Sequence, residues 1–197
     1  MTQVVKTVMP IESFGTKIVN VVAMGDVNKP LDLGYICRLF KKVAYRPKRF
    51  PGLIFKPKNS EVSIMAFNSG KIVCSGARSV RQAKIAITGF VDKLRTNGLD
   101  FLNDPNVQAQ NIVAHSDFKR AIDLETLAEL LEKSIYEPEQ FPGLIYVMSD
   151  PKVTFLIFTN GKLVCTGARN EEAINKALIT LYQRLEACDV FFERNLN

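Results

Sequence analysis

The side chains best suited to chemistry in this sequence occur in pairs, 91 positions apart. Phe50 opens the hexapeptide FPGLIF and Phe141 opens FPGLIY, while Asn20 and Asn111 each lie in a β-branched stretch. A phenylalanine ring offers a large apolar surface, and an asparagine amide offers both hydrogen-bond donors and an acceptor. Such groups recognise a ligand without breaking bonds, so the pairs predict a binding protein.

Residues suited to catalysis or metal binding do not form sets. The four cysteines, Cys37, Cys74, Cys165 and Cys188, form no CxxC pair, and His115 is the only histidine. A zinc site needs closer ligand spacing, and no nucleophile–base set, carboxylate pair or phosphate-binding glycine loop accompanies them. We therefore predict no enzymatic activity, metal or cofactor. Cys74 and Cys165 occupy matched apolar stretches and are expected to be buried thiols of a reducing compartment.

Composition allows a sizeable core and favours an acidic partner. Of the 197 residues, 47% are hydrophobic, and the formal net charge is +6. A basic surface attracts polyanions, although many basic proteins bind none. The sequence has no run of about 18 apolar residues for a membrane span, and its amino-terminal residues lack the pattern of a secretory signal. We expect no association with membranes.

Two copies of one unit account for most of the chain. The stretch AFNSGKIVCSGAR (66–78) aligns with IFTNGKLVCTGAR (157–169) at the same offset as the hexapeptides. This period exceeds the ~20–50 residues of solenoid repeats, so it indicates a single duplication. We expect a short extension over residues 1–15, a first repeat over 16–106 and a second over 107–197, both repeats forming one binding module.

Each copy predicts the element order β-α-β-β-β-α, an α+β pattern with an antiparallel sheet. The first helix is expected to run until the tripeptide Tyr-x-Pro that ends at Pro47 or Pro138, because the residue before proline avoids helical dihedrals. A long helix with apolar residues at helical spacing closes each copy. Side chains able to cap the four helices precede them: Asp32, Ser79, Asp123 and Asn170.

The strands carry more apolar residues than a sheet with one solvated face requires. In VTFLIF, alternation separates Val153, Phe155 and Ile157 from Thr154, Leu156 and Phe158. Two helices per copy can cover only one face. The second face is then apolar and open, which is typical of a binding surface. Its expected rim is basic: Arg46, Lys48, Arg49, Lys56, Lys71, Arg78, Lys162 and Arg169.

The DNA minor groove suits such a surface. It has few hydrogen-bonding groups on its floor and apolar sugar walls, between two rows of phosphates. Phenylalanine rings can wedge between base steps while lysine and arginine hold the backbone. His115 shares the face of Val113 by alternation, but it has no partner for catalysis or for metal binding.

These motifs resemble those of the TATA-box-binding protein family. FPGLI, F-x-x-G-K-x-V and [ST]-G-A-R each occur twice at one spacing, and the resemblance runs from about Thr16 to the carboxyl terminus. It implies a pseudo-two-fold saddle of the α+β class, with one curved ten-stranded antiparallel sheet and four helices on its convex face. It also implies a general transcription initiation factor that binds the TATA element, kinks the DNA and nucleates preinitiation complex assembly.

The resemblance implies a role for individual residues of this sequence. Four phenylalanines match the intercalating wedges: Phe50, Phe67, Phe141 and Phe158. Residues matching those that contact bases or the groove floor are Asn20, Asn111, Val22, Val73, Val113, Val164, Met65, Leu156, Ser75 and Thr166. Those matching phosphate-binding residues are Arg49, Lys56, Lys71, Arg78, Lys162 and Arg169. The surface used by transcription factor IIB matches Glu137, Glu139 and Gln140.

The sequence also departs from the family pattern. Val147 stands where the family has an arginine, and Gln140 replaces a leucine in the turn facing transcription factor IIB. Expected partners are A·T-rich duplex DNA and a protein resembling transcription factor IIB, with transcription factor IIA and associated factors as further partners. The expected location is the nucleus, or the cytoplasm of an archaeal cell. The alternatives are a paralogue without TATA selectivity and an accessory nucleic-acid-binding module of the same fold.

Overall fold

The computed structural model describes residues 14–40 and 43–193. Within these residues the chain divides into two compact units, one of residues 18–112 and one of residues 113–193 together with 14–17. Most of the expected amino-terminal extension, residues 1–13, lies outside the described part of the chain. The boundaries expected from the repeat stay a prediction.

Five antiparallel strands and two helices form the first half of the described chain. The strand order is β2-β3-β4-β5-β1. In chain order the elements are β1 (Lys17–Asp26), α1 (Leu33–Leu39), β2 (Val43–Tyr45), β3 (Leu53–Phe55), β4 (Ser63–Ala66), β5 (Lys71–Ala77) and α2 (Val80–Thr96).

The second half repeats this arrangement, with strand order β6-β11-β10-β9-β8 and an added two-stranded sheet of β7 and β12. The predicted α+β class, with ten principal antiparallel strands and four helices, is therefore confirmed. The elements are β6 (Gln108–Asp117), β7 (Ala121–Ile122), α3 (Leu124–Leu130), β8 (Ser134–Ile135), β9 (Gly143–Ser149), β10 (Lys152–Phe158), β11 (Lys162–Ala168), α4 (Glu171–Ala187) and β12 (Phe191–Phe192).

All four predicted caps are present. The side-chain oxygen of Asp32 accepts a hydrogen bond from the Tyr35 backbone N–H at 2.9 Å, and Asn170 accepts from Ala173 at 2.7 Å. Ser79 and Asp123 cap α2 and α3 in the same way. Each bond satisfies a donor that the first helical turn would leave without a partner.

The predicted ends of the two shorter helices are wrong. Helix α3 ends at Leu130, well before Pro138, and the hydroxyl of Ser134 donates to the Leu131 carbonyl oxygen at 2.7 Å. The chain then adds the short edge strand β8, where Ser134 pairs with Tyr146. Helix α1 likewise ends at Leu39, ahead of strand β2. Strands β2, β7, β8 and β12 were not predicted because two or three residues are too few to show alternation.

The core lies on one face of each set of strands. Val153, Phe155 and Ile157 in β10 are each 2% exposed or less, while the residues between them are half-buried. The predicted separation of the two faces is confirmed. The amphipathic helices α2 and α4 bury residues such as Phe90 and Leu181. Among the described residues, we find no helix with the length and apolar character needed to cross a membrane.

Candidate nucleic-acid interface

The second face of the strands is apolar and partly exposed, as predicted. In the first unit, the strand register aligns a row across five strands: Ala44, Ile54, Met65, Val73 and Met24. In the second unit, the matching row is Ile135, Ile145, Leu156 and Val164. All of these side chains are half-buried or exposed. We call this surface the open face of each unit.

Five members of the open face were not predicted from the sequence: Met24, Ala44, Ile54, Ile135 and Ile145. Ile54 alternates with Leu53 and Phe55, which are both buried. Alternation along this strand could therefore have assigned Ile54 to the open face. Val147, which replaces a family arginine, lies on the open face opposite Thr154 and is 44% exposed. Apolar surface therefore continues to the edge of the second unit.

The four predicted wedge residues form two pairs. The rings of Phe50 and Phe67 lie with centroids 5.8 Å apart and planes at 65°, and those of Phe141 and Phe158 are 5.9 Å apart at 62°. All four rings are half-buried. In each unit a residue from the turn before a strand thus contacts a second phenylalanine, which is Phe67 directly after β4 or Phe158 at the end of β10. The edge-to-face arrangement holds each pair together at the surface.

The glycine of each hexapeptide makes this pairing possible. A Cβ atom added to Gly143 would lie 2.8 Å from Cε1 of Phe141 and 3.0 Å from Cε1 of Phe158. The corresponding distances at Gly52 are 2.7 Å and 3.0 Å. Neither glycine has a positive φ. The glycines are therefore required by the close approach of the rings.

Asn20 is held in place by a bulge in the neighbouring strand. The register between β1 and β5 shifts between Val21 and Ala23, and Gly76 adopts a φ of +88°. The Gly76 backbone N–H donates to Oδ1 of Asn20 at 2.9 Å. This bond occupies an acceptor and leaves the Nδ2 donors for a ligand. The minor-groove edge of an A·T pair presents only acceptors, so the asparagine complements it.

The remaining predicted groove residues also lie on the open face. Asn111 and Val113 follow one another on the same side of β6, as Asn20 and Val22 do on β1. Ser75 and Thr166 are half-buried beside them on β5 and β11. The strands therefore bring these predicted residues to the same side in each unit.

The predicted phosphate-binding residues are all exposed: Arg49, Lys56, Lys71, Arg78, Lys162 and Arg169. Arg78 forms an ion pair with Glu61, with its Nη2 2.7 Å from Oε2. Both side chains of that pair are more than half exposed, so it is a weak pair that a phosphate can displace. The rim of the open face is basic, as the sequence predicted.

The turns before the wedges share one backbone geometry and carry opposite charges. In the first unit, the backbone N–H groups of Arg49 and Phe50 donate to the Arg46 carbonyl oxygen, at 2.8 and 3.0 Å. In the second, those of Gln140 and Phe141 both donate to Glu137 at 2.9 Å. The exposed side chains are Arg46, Lys48 and Arg49 in one turn and Glu137, Glu139 and Gln140 in the other. The two turns therefore suit partners of opposite charge.

The thiols at the matched strand positions are inert. Cys74 and Cys165 are 0% and 1% exposed, and burial raises their pKa to about 11 and about 12, respectively. A thiol that stays protonated is a poor nucleophile and a poor metal ligand. Within residues 14–40 and 43–193, no three His, Cys, Asp or Glu side chains are placed to hold a metal ion together.

Comparison with known proteins gives a consistent result over both repeats. The family model described as transcription factor TFIID (or TATA-binding protein, TBP) matches residues 15–97 and again residues 106–188. The TATA-box-binding protein of Pyrobaculum aerophilum is 42% identical over 176 residues, which cover 89% of this chain and 88% of that protein. The TATA-box-binding protein of Methanobrevibacter smithii is 40% identical over 174 residues, covering 88% and 96%.

A solved structure agrees with these relatives. The TBP of Methanococcus jannaschii matches the fold with a TM-score of 0.82 at 38% identity, covering 87% of this chain and 98% of that chain. The family comprises DNA-binding transcription proteins and is not a family of enzymes. Because the family model matches both repeats and a curated relative is 42% identical, the chain belongs to the TATA-binding protein family.

Proposed function

We propose that this chain binds an A·T-rich promoter element in the DNA minor groove and kinks the duplex with its two phenylalanine pairs. The observation that carries the proposal is the pairing of half-buried rings at matched places, Phe50 with Phe67 and Phe141 with Phe158. Apolar side chains inserted between base steps unstack and bend the duplex toward the major groove. The Nδ2 donors of Asn20 add hydrogen bonds to groove acceptors.

The bent complex then serves as the platform for the preinitiation complex. The acidic turn with Glu137, Glu139 and Gln140 receives a protein resembling transcription factor IIB, since its charge suits a basic partner. The basic turn with Arg46 and Lys48 suits an acidic partner, the role we assign to a factor resembling transcription factor IIA. Further proposed partners are associated factors that bind the protein in the same complex.

The location follows that of the relatives. The proteins matched above come from archaea, and a chain from an archaeal cell acts in the cytoplasm. The nuclear location expected first from the sequence has no support from these relatives. We therefore propose the cytoplasm as the place of action.

Two duplexes test the proposal. One carries a TATA element, and in the other the central A·T pairs are replaced by G·C. The guanine amino group projects from the groove floor toward Val22 and Val113, so we expect affinity to fall by at least tenfold, on the order of 1–3 kcal/mol per mismatched pair. Energy transfer between dyes at the duplex ends should report a bend with the TATA duplex. Equal affinity would favour the paralogue without TATA selectivity, and tight binding of a straight duplex would contradict the wedge mechanism.

A further inference from the structure

One position of the open face is apolar in the first unit and polar in the second. Asn20, Val22 and Met24 share a side of β1, while Asn111, Val113 and His115 share a side of β6. Met24 is half-buried beside Val73, its register partner on β5. His115 occupies the equivalent place in the second repeat, and it is exposed. An apolar side chain in one repeat is thus replaced by a hydrogen-bonding one in the other.

His115 lines an open cavity of about 570 Å³ in the second unit. The cavity lies beside the wedge residue Phe158, and Val164 forms part of its apolar wall. Two lysines, Lys17 and Lys162, also line it, and both are exposed. The cavity therefore combines an apolar wall with two lysines and a histidine next to a proposed kink.

The acidic residue of this cavity is already engaged. Asp117 accepts a hydrogen bond from the Lys119 backbone N–H at 2.8 Å, and its other carboxylate oxygen is 3.3 Å from Lys119 Nζ. The negative charge of Asp117 is therefore offset by Lys119. The positions equivalent to Lys17 and Lys162 in the first unit are Gln108 and Lys71. The first unit thus has one lysine at these positions, whereas the second unit has two lysines and a histidine.

We propose that this cavity holds a deoxyribose-phosphate of the DNA strand beside the Phe158 wedge, and that His115 and Lys17 thereby set the direction in which the protein lies on the TATA element. This proposal rests on the proposed function. Phe158 and Val164 suit the apolar sugar, while the lysines and the imidazole N–H suit the phosphate. Both repeats present the same set of Asn, Val and Phe side chains. If only this set contacted the TATA element, the protein would bind the element equally well in both orientations.

Directed cleavage tests the orientation. A hydroxyl-radical reagent is attached to Gln140→Cys, on the exposed turn of the second repeat, in a chain whose half-buried Cys37 and Cys188 are replaced by serine. On a TATA duplex the parent chain should cleave one end of the element more than the other, by about fivefold, as expected for partly exposed charge contacts. His115→Met combined with Lys17→Gln should bring the ratio close to one. His115→Gln, which keeps a hydrogen-bond donor, should retain part of the bias.

A salt titration separates a phosphate contact from a base contact. Lys17→Gln should lower the slope of log affinity against log salt by about one, because one fewer counterion is released. An unchanged orientation ratio in the double variant, or equal cleavage at both ends by the parent chain, would overturn the proposal. Failure of the parent chain to cleave near the element would instead contradict the proposed function itself.

Discussion

Phe141 and Phe158 contact each other edge to face at the surface, with their ring centroids 5.9 Å apart, and the buried ring of Phe155 lies three residues before Phe158 on the same strand. The paired rings and the buried ring therefore belong to opposite faces of β10. One strand contributes to the core with one set of side chains and to the open face with the other.

Replacing both Phe141 and Phe158 with alanine should weaken DNA binding and leave the protein folded. The rings are half-buried and contact each other, so their loss should lower the free energy of unfolding by about 1–2 kcal/mol per ring, less than the loss of a fully buried phenylalanine. DNA affinity should fall by about 100-fold, since a buried aromatic anchor at an interface contributes ~2–4 kcal/mol. Mobility shift, dye-pair bending and thermal melting together measure these quantities.

Phe155→Ala is the matched control for that experiment. Its ring is 0% exposed, so the substitution should cost about 3–5 kcal/mol of stability. A double variant of Phe141 and Phe158 that melts well below Phe155→Ala, or that still bends DNA fully, would show that the pair is structural.

Gly143→Ala should disturb the wedge without removing it. The added Cβ would meet both rings at 3.0 Å or less, so the rings must separate. Overpacking of this kind costs about 1–3 kcal/mol, and we expect a loss of roughly tenfold in DNA affinity. Gly89→Ala is the control, because nothing lies within 4 Å of its added Cβ and alanine favours a helix. Wild-type affinity and bend in Gly143→Ala would mean that the rings are free to move.

Alternation made much of the interface predictable from the sequence. Leu156 and Phe158 could be assigned to the open face because Val153, Phe155 and Ile157 already filled the other side of β10. The helix caps were equally predictable, since an aspartate, serine or asparagine before an apolar periodic stretch has a local function. These features depend only on neighbours in sequence.

Other features depend on contacts that the sequence does not display. The role of Gly143 arises from rings two and fifteen positions away. Ser134 begins an edge strand only because Tyr146 offers it a partner. The hydrogen bond between Asn20 and Gly76 requires a bulge in a strand 56 positions away, and no local sequence pattern predicts that bulge. The roles of Gly143, Ser134 and Asn20 therefore depend on long-range packing and could not be predicted from local sequence patterns.

The buried thiols should make the protein sensitive to alkaline pH. Because the folded-state pKa is raised, Cys74 and Cys165 stay protonated in the folded chain while they ionise in the unfolded chain. Below the ordinary thiol pKa of about 8.5, these thiols do not lower the free energy of unfolding. Above it, the free energy of unfolding falls as pH rises toward the folded-state pKa values of about 11 for Cys74 and about 12 for Cys165. The slope should approach 1.4 kcal/mol per pH unit for each thiol, to order of magnitude.

Urea unfolding between about pH 7 and pH 10.5 measures this slope. Cys165→Ala should be less stable at neutral pH, because it leaves a small cavity, but its stability should fall less steeply as pH rises. Parallel pH profiles for the variant and the parent chain would contradict the assignment of the alkaline loss to the buried thiol.

The opposite charges of the two turns lead to a prediction about protein partners. Glu137→Arg combined with Glu139→Arg should abolish the ternary complex with DNA and a factor resembling transcription factor IIB, because exposed like charges would meet a basic partner. DNA binding should persist, since neither glutamate lies on the open face. The control is Arg46→Glu with Lys48→Glu in the equivalent turn of the first repeat, assayed at saturating DNA. That variant should retain the ternary complex. Loss of the ternary complex in the control variant, or its survival in the Glu137 and Glu139 variant, would show that the protein partner does not bind at the acidic turn.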